Sequence, residues 1–549
     1  MRLADTAGLR RSYVAFNAAL GSLYEPLATR PEGSAPLATR PEGSEPLATR
    51  PEGSKNHLLE LADATDKPDF DDTAFFDAAG MVYNAGGFDP SQLNTPEARR
   101  LIAETLKQLN TAISSGVSHE VPEVVRYALE NNAFIFSGFK AFHTLREVGL
   151  SLTTDKGDIN PFETFRRDVE QVNNRYNHNY LRAEYNYAVR SAIMAEKWER
   201  FVREADRYDL QYRTAMDDHV REDHAILHNT TLPVLDPFWK EFFPPNGWGC
   251  RCDVVQVRKD KYPESDPDLA MLRGNNCTEA AKQQIFRFNP GKELKLFPPK
   301  HPYYKAPEAA KQIIEQLSEE QQRERRIADI IKELPDTLTA DVKKAIAENC
   351  LEIEQRFGIG KGKPMTYDEA NKGKENPNFS KGGGYYVNCQ TCTVTHWLRR
   401  LGFNIQAHPN EILYKGHQGT AYDKLDKAGV KWTERFVNTD GSKVDYDFSY
   451  QWQRRKGYKT MTAKRLQEYF TEKFNHDGVY EIYCAWKRGD AHVFLAEVKG
   501  GKVRYFDPQS GQDDVSHYIG NMKPGHVGVL RIDDKKINPG IGELFLEVK

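Results

Sequence analysis

NCQTCTVTHWLRRLG, residues 388–402, decides how the C-terminal part of this chain is read. Val394, Leu398 and Leu401 recur at helical spacing and Gly402 offers a stop, so the stretch predicts an amphipathic helix near 390–401 with Cys389 at its start. The first backbone N–H groups of a helix lack intrahelical acceptors; they favour a sulfur anion and can serve an oxyanion. Cys392 lies about one turn further in and reads as a packed side chain. Downstream, AHVFLAEVKGGKVRYFDPQSG (residues 491–511) alternates apolar and polar residues about KGGK, which predicts a hairpin with strands near 491–498 and 502–507. With the turn centred on Gly500 and Gly501, residues whose numbers sum to about 1001 face each other, which puts Asp507 about one diagonal step from His492.

A thiol at a helix start, an imidazole on a strand and a carboxylate on the next strand are the parts of a cysteine acyl-transfer site. Cys389 is the nucleophile of that reading, His492 the general base and Asp507 its orienter. Gln509 and Gln390 are candidates for orienting the ring or donating to an oxyanion. Singly, each piece also fits a bland role, the histidine as a strand residue and DPQSG as a turn with an Asp cap. A C-x2-C metal or redox pair at Cys389 and Cys392 competes, although no second C-x2-C follows to complete a four-cysteine zinc site. His396 reads as a solvated or capping side chain and Cys484 as a buried strand thiol. The surrounding texture is α+β, with a helix near 462–474 and further strands near 479–486 and 526–532. The Gly-, Lys- and Asn-rich residues 358–384 are a linker or an ordered loop.

The preceding chain is different. PEARRLIAETLKQLNTAISSG (96–116) follows Thr95 as a cap and has Pro96 at its first turn, and residues 161–201 run without glycine at helical spacing. From Asp206 a loop-rich block carries His219, His224 and His228 ahead of Cys250-Arg251-Cys252, with a short strand at Val254 to Val257. His224, His228, Cys250 and Cys252 are candidate zinc ligands. The alternative is packing and loop-stapling hydrogen bonds with no cofactor, since C-x-C is tighter than the usual C-x2-C. Trp239 and Trp248, with Phe238, Phe242 and Phe243, read as that module's core. Residues 25–54 hold one decapeptide three times, EPLATRPEGS, APLATRPEGS and EPLATRPEGS, too poor in large apolar side chains to offset ordering entropy, and are expected to be a disordered linker.

The chain has 549 residues, enough for two to four domains. Its formal charge is −3, from 76 basic and 79 acidic residues, which argues against a specific nucleic-acid partner. No apolar run reaches the roughly 20 residues that span a bilayer, and no secretory signal is expected at the start. Seven dispersed cysteines point to reduced thiols in a cytosolic setting.

YRTAMDDHVREDHAILH and LPVLDPFWKEFFPPNGWGCRC, with NNAFIFSGFK before and FRFNPGK and FPPKHPYY after, resemble the Mu F-like minor head proteins of tailed phages over roughly residues 75–305. This resemblance implies a virion or prohead component of head morphogenesis. It also implies portal and other head proteins as partners, and a place in the bacterial cytoplasm and the phage virion, encoded by a prophage. NCQTCTVTHWLRRLGFNIQA, AHVFLAEVKGGKVRYFDPQSG and DEANKGKENPNF resemble papain-fold toxin domains related to effectors that deamidate protein glutamine, over roughly residues 365–515. That second resemblance implies Cys389, His492 and Asp507 in the roles given above, a protein substrate and an immunity protein as partner. The architecture expected is multidomain. A segment 1–24 and the repeats 25–54 precede a mostly helical head-protein module, 55–305; a helical connector, 306–364, leads to an α+β papain-like enzyme domain, 365–549. The alternatives are a structural head protein with an inert C-terminal decoration, or a cysteine protease that processes head proteins.

Overall fold

The structure, a computed structural model, describes residues 15–20, 22–24, 68–118, 120–154, 158–215, 220–410, 434–540 and 546–548. The decapeptide repeats and His219 lie outside the described residues. The chain divides into two compact units, Met1–Gln322 and Arg323–Lys549.

The first unit is built on helices α1 (Asp72–Asn84), α2 (Pro96–Gly116), α3 (Glu123–Leu150), α4 (Phe162–Asn173) and α5 (Leu181–Arg203). Thr95 caps α2 by accepting from the N–H of Ala98, with Pro96 in the first turn as its missing donor allows. Leu101, Ile102, Leu109 and Ile113 form the buried stripe of α2. Its last residue, Gly116, meets α5 so closely that a Cβ would lie 2.6 Å from the carbonyl oxygen of Val189. Between α4 and α5 the glycine-free stretch stays helical through one π-helical segment, Asn174–Tyr180. Fully buried, Lys140 of α3 donates to Glu184 of α5 at 2.5 Å, and the Tyr24 hydroxyl donates to the same carboxylate at 2.8 Å.

After α5 comes a three-stranded antiparallel sheet in the order β2-β1-β3, with β1 Tyr208–Arg213, β2 Thr231–Pro233 and β3 Asp253–Arg258. Phe238, Trp239, Phe242 and Phe243 pack with Leu210 and Tyr212 as its core. Trp248 departs from the sequence reading. It is buried in the helical core, stacked on Tyr24 with ring centroids 4.9 Å apart and edge-on to Tyr187 at 4.8 Å. A large ring goes where most apolar area can be covered, and the long helices offer more of it than the small sheet.

The second unit has a five-stranded antiparallel sheet in the order β4-β8-β5-β6-β7: β4 Asp447–Phe448, β5 Gly478–Trp486, β6 Ala491–Lys499, β7 Lys502–Phe506 and β8 Met522–Arg531. Both faces are covered. Leu495 and Phe506 join Val394, Trp397, Leu398 and Leu401 of helix α6 (Cys389–Leu401) in one core. Phe494, Ala496 and Val498 join Leu466, Tyr469 and Phe470 of helix α7 (Ala463–Lys473) in the other. Successive β6 residues therefore feed opposite cores, as the two-residue period of a strand requires. Residues 308–357 form two helices, Glu308–Glu333 and Ala340–Phe357. Ile327, Ile330, Ile346, Ala347, Cys350 and Ile353 contribute to the core under α6, so much of the stretch read as a connector is core of this unit. Residues 358–384 are an ordered loop, with Glu375 and Asn376 buried.

Candidate functional site

The helix α6 starts at Cys389, with Asn388 as its N-cap. The Asn388 side chain makes no capping bond and is buried in another task. Its Nδ2 donates to the carbonyl of His408 at 3.0 Å, and its Oδ1 accepts from Gln509 Nε2 and from Asn376 Nδ2, each at 3.3 Å. Asn376 also donates to the Gln509 carbonyl at 2.9 Å. Gln509 thus ties the loop after β7 to the start of α6, and Gln390 occupies the second position of that helix, half-buried. Cys389 is half-buried, whereas Cys392, one turn inside, is sealed, and burial pushes its thiol well up.

The hairpin β6–β7 turns on Gly500 and Gly501, both at positive φ (58° and 74°), the geometry of a two-residue turn that glycine reaches without strain. Leu495 pairs with Phe506 and Lys499 with Lys502. That register brings Asp507 to His492: the ring Nε2 lies 3.2 Å from Asp507 Oδ2. Asp507 is buried and heavily held, accepting from Ser510 Oγ at 3.0 Å, from the Tyr518 hydroxyl at 3.1 Å and from the Gln509 N–H at 2.9 Å. Burial raises the Asp507 carboxyl, but the His492 hydrogen bond and charge outweigh it and leave it below its usual range. For His492, burial disfavours the charged ring. The hydrogen bonds and charges of Asp507 and Cys389 override that and raise the imidazole to about 10. The Cys389 thiol lies close enough to the ring to act on it electrostatically, while the ring Nε2 is committed to Asp507. Trp486 stacks beside the ring with centroids 5.8 Å apart. A thiol, an imidazole and a carboxylate meet in one place, the set of groups that acyl transfer by a cysteine requires.

Several residues here carried no readable signal. Ser510 and Tyr518 hold Asp507. Arg435, fully buried against Glu481, is near enough to Cys389 to interact with it electrostatically. His396 corrects the sequence reading: it is fully buried, with Nδ1 2.7 Å from Glu375 Oε1. Burial holds Glu375 up at about 8 and His396 down at about 3, so the contact is a neutral acid donating to a neutral imidazole.

In the first unit, His224 Nδ1 lies 3.6 Å from Cys250 Sγ and 3.5 Å from Cys252 Sγ, all three side chains buried. The structure does not bring His228 to them. Its Nδ1 accepts from the Thr214 N–H at 3.1 Å.

Residues 160–255 match the family model described as Phage Mu protein F like protein, so the chain carries a Phage Mu F-like domain. The chain is 38% identical over 81 residues to the putative capsid assembly protein F of Escherichia phage Mu, covering 15% of this chain and 18% of that protein. It is 34% identical over 90 residues to the Mu-like prophage FluMu F protein of Haemophilus influenzae, covering 14% of this chain and 22% of that protein. The chain therefore spans about a fifth of the length of these curated relatives. No solved structure matches it. Among the described residues, no helix is long and apolar enough to cross a membrane.

Proposed function

We propose that this chain is a head-assembly component of a Mu-like phage, carried with the particle, and that its C-terminal unit is a papain-like cysteine hydrolase acting on glutamine of a target protein. The likeness to a capsid assembly protein supports the first half. The observation that carries the second is the meeting of Cys389, His492 and Asp507, the ring 3.2 Å from the carboxylate and within electrostatic reach of the thiol. In the proposed reaction the Cys389 sulfur attacks the carboxamide carbon. The C–N bond breaks, and His492 passes its proton to the nitrogen, which leaves as ammonia. His492 then takes a proton from water, whose oxygen displaces the sulfur from the thioester to give glutamate. Portal and other head proteins are the partners of the first unit, and a host protein and an immunity protein those of the second.

The test compares proteomes of bacteria expressing the full chain or its Cys389→Ala variant. The expected result is a set of glutamines converted to glutamate only with the intact thiol, together with growth arrest that the variant lacks. Thiol-dependent peptide cleavage would replace deamidation by proteolysis. Identical proteomes and identical growth would overturn the enzyme and leave an inert decoration on a head protein.

A further inference from the structure

We propose that His224, Cys250, Cys252 and Cys277 hold one zinc ion in a closed structural site that staples the sheet module of the first unit. A tetrahedral zinc with Zn–N of about 2.05 Å and Zn–S of about 2.3 Å places nitrogen and sulfur about 3.6 Å apart. His224 Nδ1 stands 3.6 Å from Cys250 Sγ and 3.5 Å from Cys252 Sγ. A single ring nitrogen offers one proton or one lone pair, so it cannot satisfy two sulfurs equally by hydrogen bonding. One cation between them can.

The chain builds this site from three separate segments. Cys250 and Cys252 sit at i and i+2 on the approach to β3, a spacing that puts both side chains on one face of an extended chain. Gly249, at φ 66°, turns the backbone immediately before them. His224 comes from the single turn Glu222–Ala225. The helix Pro267–Cys277 packs against that turn and ends on Cys277, which is fully buried in the same core as Cys250 and Cys252 and near enough to His224 to interact with it electrostatically. The ligand atoms of His224, Cys250 and Cys252 lie within 4.8 Å of one another, and we take Cys277, from the adjoining helix end, as the fourth. Three thiolates and one divalent ion leave a charge of −1. Arg190 of α5 interacts electrostatically with Cys250 and Cys252 and offsets it. A small sheet gains folding energy from such a clasp, because the ion closes long loops between the three segments.

The experiment is elemental analysis of the full chain purified from zinc-supplemented cells, followed by exchange with cobalt(II). One zinc per chain and the visible absorption of tetrahedral cobalt–thiolate are expected. Cys250→Ser, Cys252→Ser and Cys277→Ser should each lower the bound metal roughly tenfold or more, while His228→Ala retains it. A metal-free chain that gives no cobalt spectrum overturns the site, whatever the variants do. Full occupancy and an unchanged cobalt spectrum in Cys277→Ser overturn the fourth ligand.

Discussion

Cys484, the cross-strand partner of His492, is sealed, whereas Cys389 differs from the other six cysteines in being only half-buried. Behind it sits the neutral pair of Glu375 and His396, in which Glu375 Oε2 and His396 Nε2 have no hydrogen-bond partner among the described residues. This pair makes stability depend on pH with a definite sign. The Glu375 carboxyl ionises above about 4.5 when exposed but stays protonated to about 8 in the fold. The folded state therefore binds the extra proton between those values, and the contribution of Glu375 falls as pH rises through that window. Glu375→Gln keeps a donor for His396 and removes the titration. We expect it to raise the stability of the second unit at pH 8 by roughly 1–3 kcal/mol and to change it little at pH 4. Urea midpoints at the two pH values measure this, and an equal shift at both would refute the neutral-acid assignment.

Among the elements, α2 and the β6–β7 hairpin were legible because each carries its own local signals. Thr95 and Pro96 mark the start of α2, and KGGK supplies the two positive φ values that fix the hairpin register. The α3–α5 contact was not legible, because Lys140 and Glu184 are separated by 44 residues and charged residues ordinarily face solvent. Both are sealed inside the helical core. Removing one partner strands the other's charge, so Lys140→Met should cost the first unit about 3–5 kcal/mol, with much of the loss recovered when Glu184→Leu is added. Chemical denaturation of the full chain, followed by a probe in the first unit, tests this. A single-variant loss under about 1 kcal/mol would show that Glu184 is neutralised some other way.

For the whole molecule, the hydrophobic cores formed by the described residues fall two in each unit. Damage to one should not reach the other. Phe243→Ala, in the sheet module, should destabilise the first unit by about 3–5 kcal/mol. The rate at which a thiol reagent labels Cys389 under native conditions should stay within about twofold of the unaltered chain, as expected for sites that belong to separate cores. A tenfold change in that rate would show the units to be energetically coupled.

The sequence by itself determined what rests on short-range pattern. Helical spacing, caps and turn glycines marked most of the elements, and the strings around His224 and Cys250 carried the resemblance to Mu F-like proteins that the family match over residues 160–255 supports. Only the tertiary structure decided which polar residues are buried and whom they meet. It set His228 apart from the His224 cluster, turned His396 inward onto Glu375 and buried Cys277 in the same core as Cys250 and Cys252. The reason is physical. Periodicity is written into neighbouring residues, whereas the partner of a buried polar group is chosen by the desolvation cost of leaving it alone, and that cost exists only once distant segments have closed over it.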